Sequence, residues 1–291
     1  MPRLSLNRRT RTAIASAIAA LPLAVAAQAT AHADTLVLVQ GYLGSANSYR
    51  ATGIAQTLVA RGFQDAGHLA LAPDGRFRAQ PITAAGKQRF YTVELPTEAP
   101  VALQARVLGD ALVEVASRHS GEPLHVVGHS AGGVVARFAA VTDQRVKPAT
   151  LLTIASPHLG TATAEVGSMI GNSPLSWVAP FFGASTINRS QALYQDLWRE
   201  RPGTALGWLN RQPHPDMRYI SVLRTNGGAP LAGDSVVDGV SQDMNAVPAL
   251  ARRSEVYVTA GGHGLNPGDG ILIADLIGRA AQQTAAATPA R

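Results

Sequence analysis

Pro123-Leu124-His125-Val126-Val127-Gly128-His129-Ser130-Ala131-Gly132-Gly133 is the stretch that decides how this chain is read. An apolar run climbs to Gly128-His129-Ser130-Ala131-Gly132, and a small-residue segment continues through Val134-Val135-Ala136-Arg137-Phe138-Ala139-Ala140. The pattern predicts a strand, a sharp turn and a helix, with Ser130 at the apex. A serine presented this way must accept a strained backbone so that its hydroxyl stands clear of the sheet. Small residues two before and two after it let strand and helix close on the bend. The helix start also aims free N–H groups at the place where an oxyanion would form. The spacing points to a nucleophile.

Gly-His-Ser-Ala-Gly-Gly after an apolar strand resembles the nucleophile segment of bacterial secreted lipases and related esterases of the α/β-hydrolase superfamily. The resemblance implies an α/β fold, with a mostly parallel central sheet flanked by helices and a helical cap insertion. Upstream, the apolar run Thr35-Leu36-Val37-Leu38-Val39 ends in Gln40-Gly41-Tyr42-Leu43-Gly44-Ser45. In lipase-like families this loop carries a backbone donor of the oxyanion hole, which implies Tyr42 here, with Ala131 giving the second N–H. Those families commonly have His-Gly where this chain has Gln40-Gly41. Leu43 and His129 adjoin the same place as candidates for substrate contact. A strand, glycine-bearing loop and helix could also hold a dinucleotide or phosphate, but both the G-x-G-x-x-G and the Gly-Lys-Ser/Thr spacings are missing.

The rest of the chain alternates as a parallel sheet with crossover helices would. A helical pattern covers Tyr49 to Arg61, and residues 64–87 read as an irregular excursion with one short paired segment around Arg76-Phe77-Arg78. Arg89 to Pro96 reads as a strand that Pro96 stops. Val101, Ala105, Leu108, Leu112 and Val115 share one face of a helix running to Arg118, with Pro100 at its start. Ala149 to Ala155, Met217 to Thr225 and Glu255 to Thr259 are further strands, and residues 269–286 form a closing helix. Residues 162–216 break the alternation and hold all three tryptophans. Trp177, Phe181, Phe182 and Trp198 there suit a cap over an apolar acyl pocket, with opening at an interface left open, and the alternative is an insertion whose apolar side packs on the core.

A serine hydroxyl needs a histidine to take its proton and a carboxylate to orient that histidine. His263 lies just beyond the last strand, in Gly261-Gly262-His263-Gly264, where it can stand over the carboxyl edge of the sheet. His158, in Ser156-Pro157-His158, reads as a wall residue of the site, and His129 as support for the turn. The resemblance implies the order Ser130, acid, His263. Asp234, before Ser-Val-Val, and Asp238, before Gly-Val-Ser, both resemble parts of the family's acid motif, with Asp234 preferred and Asp238 the alternative. No ligand spacing indicates a metal: His125 and His129 run from strand into turn, and cysteine is absent. A structural Ca²⁺ is compatible with the family but not indicated, and no cofactor is expected to be required.

With 46% hydrophobic and 15% charged residues, the chain can fill one large core. Arg3, Arg8, Arg9 and Arg11 precede an apolar stretch and Ala31-His32-Ala33, which reads as a signal peptide over residues 1–33. That leaves residues 34–291 as one hydrolase domain with 21 basic against 19 acidic residues, too balanced for a nucleic-acid partner. The apolar stretch is interrupted by Pro22 and shorter than the roughly 20 residues of a span, so a secreted or periplasmic protein with no transmembrane anchor is expected. The expected partner is an apolar ester or lipid, met in solution or at a lipid–water interface. The function expected is hydrolysis of carboxylic esters, as a triacylglycerol lipase or carboxylesterase. A polyester hydrolase, thioesterase or amidase would use the same residues. A non-catalytic lipid-binding or chaperone protein on the same fold is the reading from another class.

Overall fold

A computed structural model describes residues 33–80, 87–161, 190–200, 202–227, 229 and 232–287. Residues 1–32 of the expected leader, and residues 162–189 with Trp177, Phe181 and Phe182, lie outside the described residues. Strand β1, Thr35–Val39, is buried throughout. Val37 and Val39 enter one apolar cluster, and Leu36 and Leu38 enter the other. Side chains alternate faces along a strand, so a continuous apolar run is what a sheet covered on both faces requires. Each fully buried Val or Leu of this kind contributes about 1.5–3 kcal/mol.

The other strands are β2 (Gln64–Leu71), β3 (Phe77–Gln80), β4 (Arg89–Val93), β5 (Leu124–His129), β6 (Thr150–Ile154), β7 (Arg218–Thr225) and β8 (Ser254–Ala260). They form one sheet in the order β3-β2-β4-β1-β5-β6-β7-β8. Every neighbouring pair is parallel except β2 with β3. Helices α1 (Ser48–Ala51), α2 (Ile54–Ala60), α3 (Val101–Arg118), α4 (Ala131–Thr142), α5 (Gln191–Asp196), α6 (Ala205–Leu209), α7 (Gly239–Gln242) and α8 (Pro267–Ala287) complete the fold. Helices α3 to α6 bury Val101, Leu108, Val135, Leu193 and Leu206 in one cluster. Helices α2 and α8 bury Ile54, Leu58, Ile273 and Ile277 in the other. This is the α/β-hydrolase fold.

Two expectations are corrected. Residues 64–71 are a strand rather than irregular chain. The register with β4 shifts between Asp65 and His68, where Gly67 has φ 104°. The two core-facing residues Ala66 and Leu69 therefore stand three apart, which hides the two-residue period. The helical pattern over Tyr49 to Arg61 is split by Gly53, whose φ of 82° no continuous helix accepts, into α1 and α2.

The described part of the expected cap is built into the body. Leu193, Leu197, Leu206 and Leu209 belong to the α3/α4 cluster. Asp196 accepts the free N–H of Val101 at the start of α3 at 2.8 Å. Trp198 is half-buried and bridges Thr161 just beyond β6. These contacts tie α5 and α6 to the helices that cover the sheet. No described helix is long and apolar enough to cross a membrane.

Candidate active site

Ser130 stands between β5 and α4 with φ 52° and ψ −130°. L residues avoid this region, so neighbouring contacts must hold it. Its N–H donates to Ile154 O at 2.9 Å, and its carbonyl accepts from Gly133 N–H at 3.0 Å. A methyl group on Gly128 would collide with the backbone of Gly132 and Gly133, where α4 starts. One on Gly132 would collide with the carbonyls of Val39 and Gln40, and one on Gly133 with Ser156. The glycines are spacers that let strand, helix and the β1 loop meet around Ser130.

The Ser130 hydroxyl donates to His263 Nε2 at 2.8 Å, and His263 Nδ1–H donates to Asp234 Oδ2 at 2.8 Å. Asp234 is fully buried, and its Oδ1 accepts the N–H groups of Val236 at 3.0 Å and Val237 at 2.9 Å. Gly233 and Ser235, with φ 74° and 72°, make the tight turn that allows this. Asp238 is elsewhere: its carboxylate is 55% exposed and pairs with Arg199. The structure thus brings Ser130, Asp234 and His263 together and leaves Asp238 out.

His263 is carried on the loop between β8 and α8. Gly261 N–H donates to Thr225 O at 2.9 Å, and Asn266 N–H to Asp269 Oδ2 at 2.8 Å. Asp269 forms a buried ion pair with Arg224 of β7. Burial raises the Asp269 pKa and the Arg224 charge opposes that rise. The His263 carbonyl accepts His129 Nε2–H at 2.8 Å. His129 is pushed down to about 3, chiefly by burial and then by the neighbouring His263 imidazole, so it is a neutral donor. Its placement is that of a prop, not a base. His158 is buried, with Nε2 against Thr153 Oγ1 at 3.1 Å, which makes it part of the wall.

Sequence reading missed Arg224 and Asp269. The available signal was an arginine directly after the apolar pair Val222-Leu223 of a strand, since such a residue is buried only with a partner.

The loop after β1 turns at Gly41–Gly44, where Gly44 N–H donates to Gly41 O at 3.0 Å and Leu43 has φ 56°. A methyl group on Gly41 would lie 2.9 Å from Ser130 Cβ, so the loop passes directly over the serine. Gln40 is buried in this packing. The Ala131 N–H opens α4 and has no intrahelical acceptor. Among the described residues no group of three His, Cys, Asp or Glu is placed to hold a metal ion.

The profile of the family described as "Putative serine esterase (DUF676)" matches residues 81–222, a span that includes Ser130 and ends before Asp234 and His263. No curated protein matches the chain in sequence. Among solved structures, the lin2722 product of Listeria innocua aligns at 17% identity with a TM-score of 0.53, over 79% of this chain and 86% of that one. The mature lipase BlEst2 of Bacillus licheniformis aligns at 16% identity with a TM-score of 0.52, over 85% and 91% of the two chains. At these identities the likeness is one of fold.

Proposed function

We propose that this chain, a serine-hydrolase-like protein of the α/β-hydrolase superfamily, hydrolyses carboxylic esters with apolar acyl groups through an acyl-enzyme. The observation that carries the reading is the unbroken hydrogen-bond chain from Ser130 through His263 to Asp234, both links at 2.8 Å. Asp234 keeps the proton on Nδ1, which leaves the Nε2 lone pair facing the serine hydroxyl. Ser130 Oγ attacks the ester carbonyl as its proton passes to His263. The carbonyl oxygen becomes an oxyanion held by the N–H groups of Tyr42 and Ala131. His263 then protonates the departing alcohol and leaves an acyl-Ser130 ester. A water gives its proton to His263 and attacks that ester, and collapse returns the proton to Ser130 and frees the acid.

None of these steps calls for a metal or cofactor. The sequence of residues 1–33 supports action outside the cytoplasm. Thioesters and amides would pass through the same steps, so parallel assays on the three bonds separate them. The test of the core reading is Ser130→Ala. It should abolish fluorophosphonate labelling and lower turnover of p-nitrophenyl esters by roughly 10⁴-fold or more. Retained turnover would overturn it.

A further inference from the structure

The oxyanion donor assigned to Tyr42 is a backbone group, so what its own side chain does is a separate matter. The Tyr42 ring leaves the loop and meets α5 edge-on, with its centroid 5.5 Å from that of Tyr194. Its hydroxyl donates to Ser190 Oγ at 3.0 Å and lies 2.6 Å from the Tyr194 hydroxyl. A phenol has one proton. With that proton spent on Ser190, the bond from Tyr194 must run toward Tyr42, giving the order Tyr194, Tyr42, Ser190. Ser190 precedes α5 and Tyr194 lies four residues on, so both present to the same side. Ser190 is fully buried. Burial, reinforced by the bond to Tyr42, raises the Tyr194 pKa and keeps the hydroxyl protonated.

The post that holds these two hydroxyls is itself fixed. Leu193 and Leu197 are buried in the α3/α4 core, and Asp196 is bonded to the start of α3. A chain of direct contacts therefore runs from the core, through α5 and the Tyr42 side chain, to the loop lying over Ser130.

We propose that Tyr194 and Ser190 are positioning residues that tether Tyr42, so that α5 sets where the Tyr42 N–H stands during acyl transfer. This rests on the catalytic reading above and adds a role that neither the elbow nor the hydrogen-bonded trio supplies. An oxyanion donor works only when held at the place where charge develops, so a loosened loop costs turnover while leaving ground-state binding intact.

The experiment measures kcat, KM and the affinity for an apolar trifluoromethyl ketone, whose adduct with the serine carries an oxyanion. Tyr194→Phe should lower kcat about tenfold, less than the roughly 10²-fold or more of losing a donor outright. KM should stay within about twofold, and ketone affinity should fall in step with kcat/KM. Tyr42→Phe should do the same, and the double variant should lose no more than the worse single one. Ser190→Ala tests the other end of the chain independently of how Tyr194→Phe folds, with thermal midpoints recorded for each protein. Unchanged kcat in well-folded variants would overturn the tether. So would a rise in KM with ketone affinity following it and kcat untouched, which would make Tyr194 a wall of the acyl site. Ser130→Ala assayed alongside keeps the two readings apart, since its retained activity would bring down the catalytic reading and not the tether alone.

Discussion

The two halves of the site are held by different physics. Around Ser130 the restraint is steric, with glycines at 128, 132 and 133 occupying places where a methyl group would strike backbone or Ser156. Around His263 it is polar: two backbone N–H groups on Asp234, the Arg224–Asp269 pair, and the bond from His129. Steric restraint writes itself into sequence at fixed spacing, whereas polar restraint joins residues far apart along the chain. Two glycine-bearing segments that look alike on paper, Gly-His-Ser-Ala-Gly-Gly and Gly-Gly-His-Gly, are thus glycine-rich for different reasons.

The largest expected effect tests the polar half. In Asp234→Asn the amide oxygen still accepts from Val236 and Val237, but the NH₂ then faces His263 Nδ1 and donates to it. That forces the proton onto Nε2, the wrong tautomer to accept from Ser130, and kcat should fall roughly 10⁴-fold with little change in KM. Asp238→Asn removes only an ion pair whose two side chains are 65% and 55% exposed, and should alter activity by no more than about twofold. Reversed results would move the acid to Asp238.

A second contrast compares glycines. Gly132→Ala drives a methyl group into the β1 loop and should cost about 1–3 kcal/mol of stability, with activity falling as the Tyr42 loop is displaced. Gly264→Ala meets nothing within 4 Å and should behave as the parent. Thermal midpoints and ester turnover decide the matter. A tolerated Gly132→Ala would mean that the elbow is not held by close packing.

This difference also explains what could be read in advance. The apolar runs at Thr35–Val39 and Thr150–Ile154 are strands because both their faces are covered, and Ser130 announces itself through its glycine spacing. Reading the sequence preferred Asp234 but left Asp238 open as the alternative. Each precedes short apolar and small residues, and only the turn at Gly233 decides which carboxylate is buried against backbone N–H groups. The role of α5 was hidden for a similar reason. Tyr42 and Tyr194 are 152 residues apart, and no local pattern links two phenols across that distance. Strand β2 was hidden by its bulge.

His129 is the residue on which the two kinds of restraint meet, since it lies beside Ser130 and bonds the His263 loop. The smallest expected effect follows from its titration. Its folded pKa of about 3 lies below the ordinary 6.5. As pH falls through 6.5 the unfolded chain takes up a proton that the folded protein refuses until near 3, so the unfolded state gains stability. The contribution is whole above 6.5 and is lost at up to about 1.4 kcal/mol per pH unit below it, or about 2 kcal/mol between pH 7 and pH 5. His158 and His214, whose pKa values burial also lowers, add acid losses of the same sign. Both remain in His129→Asn, so comparing that variant with the parent isolates His129. Urea unfolding at pH 7 and pH 5 should show the parent losing about 2 kcal/mol more than His129→Asn over that interval. Equal losses would mean that the imidazole is solvated in the folded protein. The bond to the His263 carbonyl would then be too weak to join the two halves, and the Ser130 turn and the His263 loop would have to be treated as separately anchored.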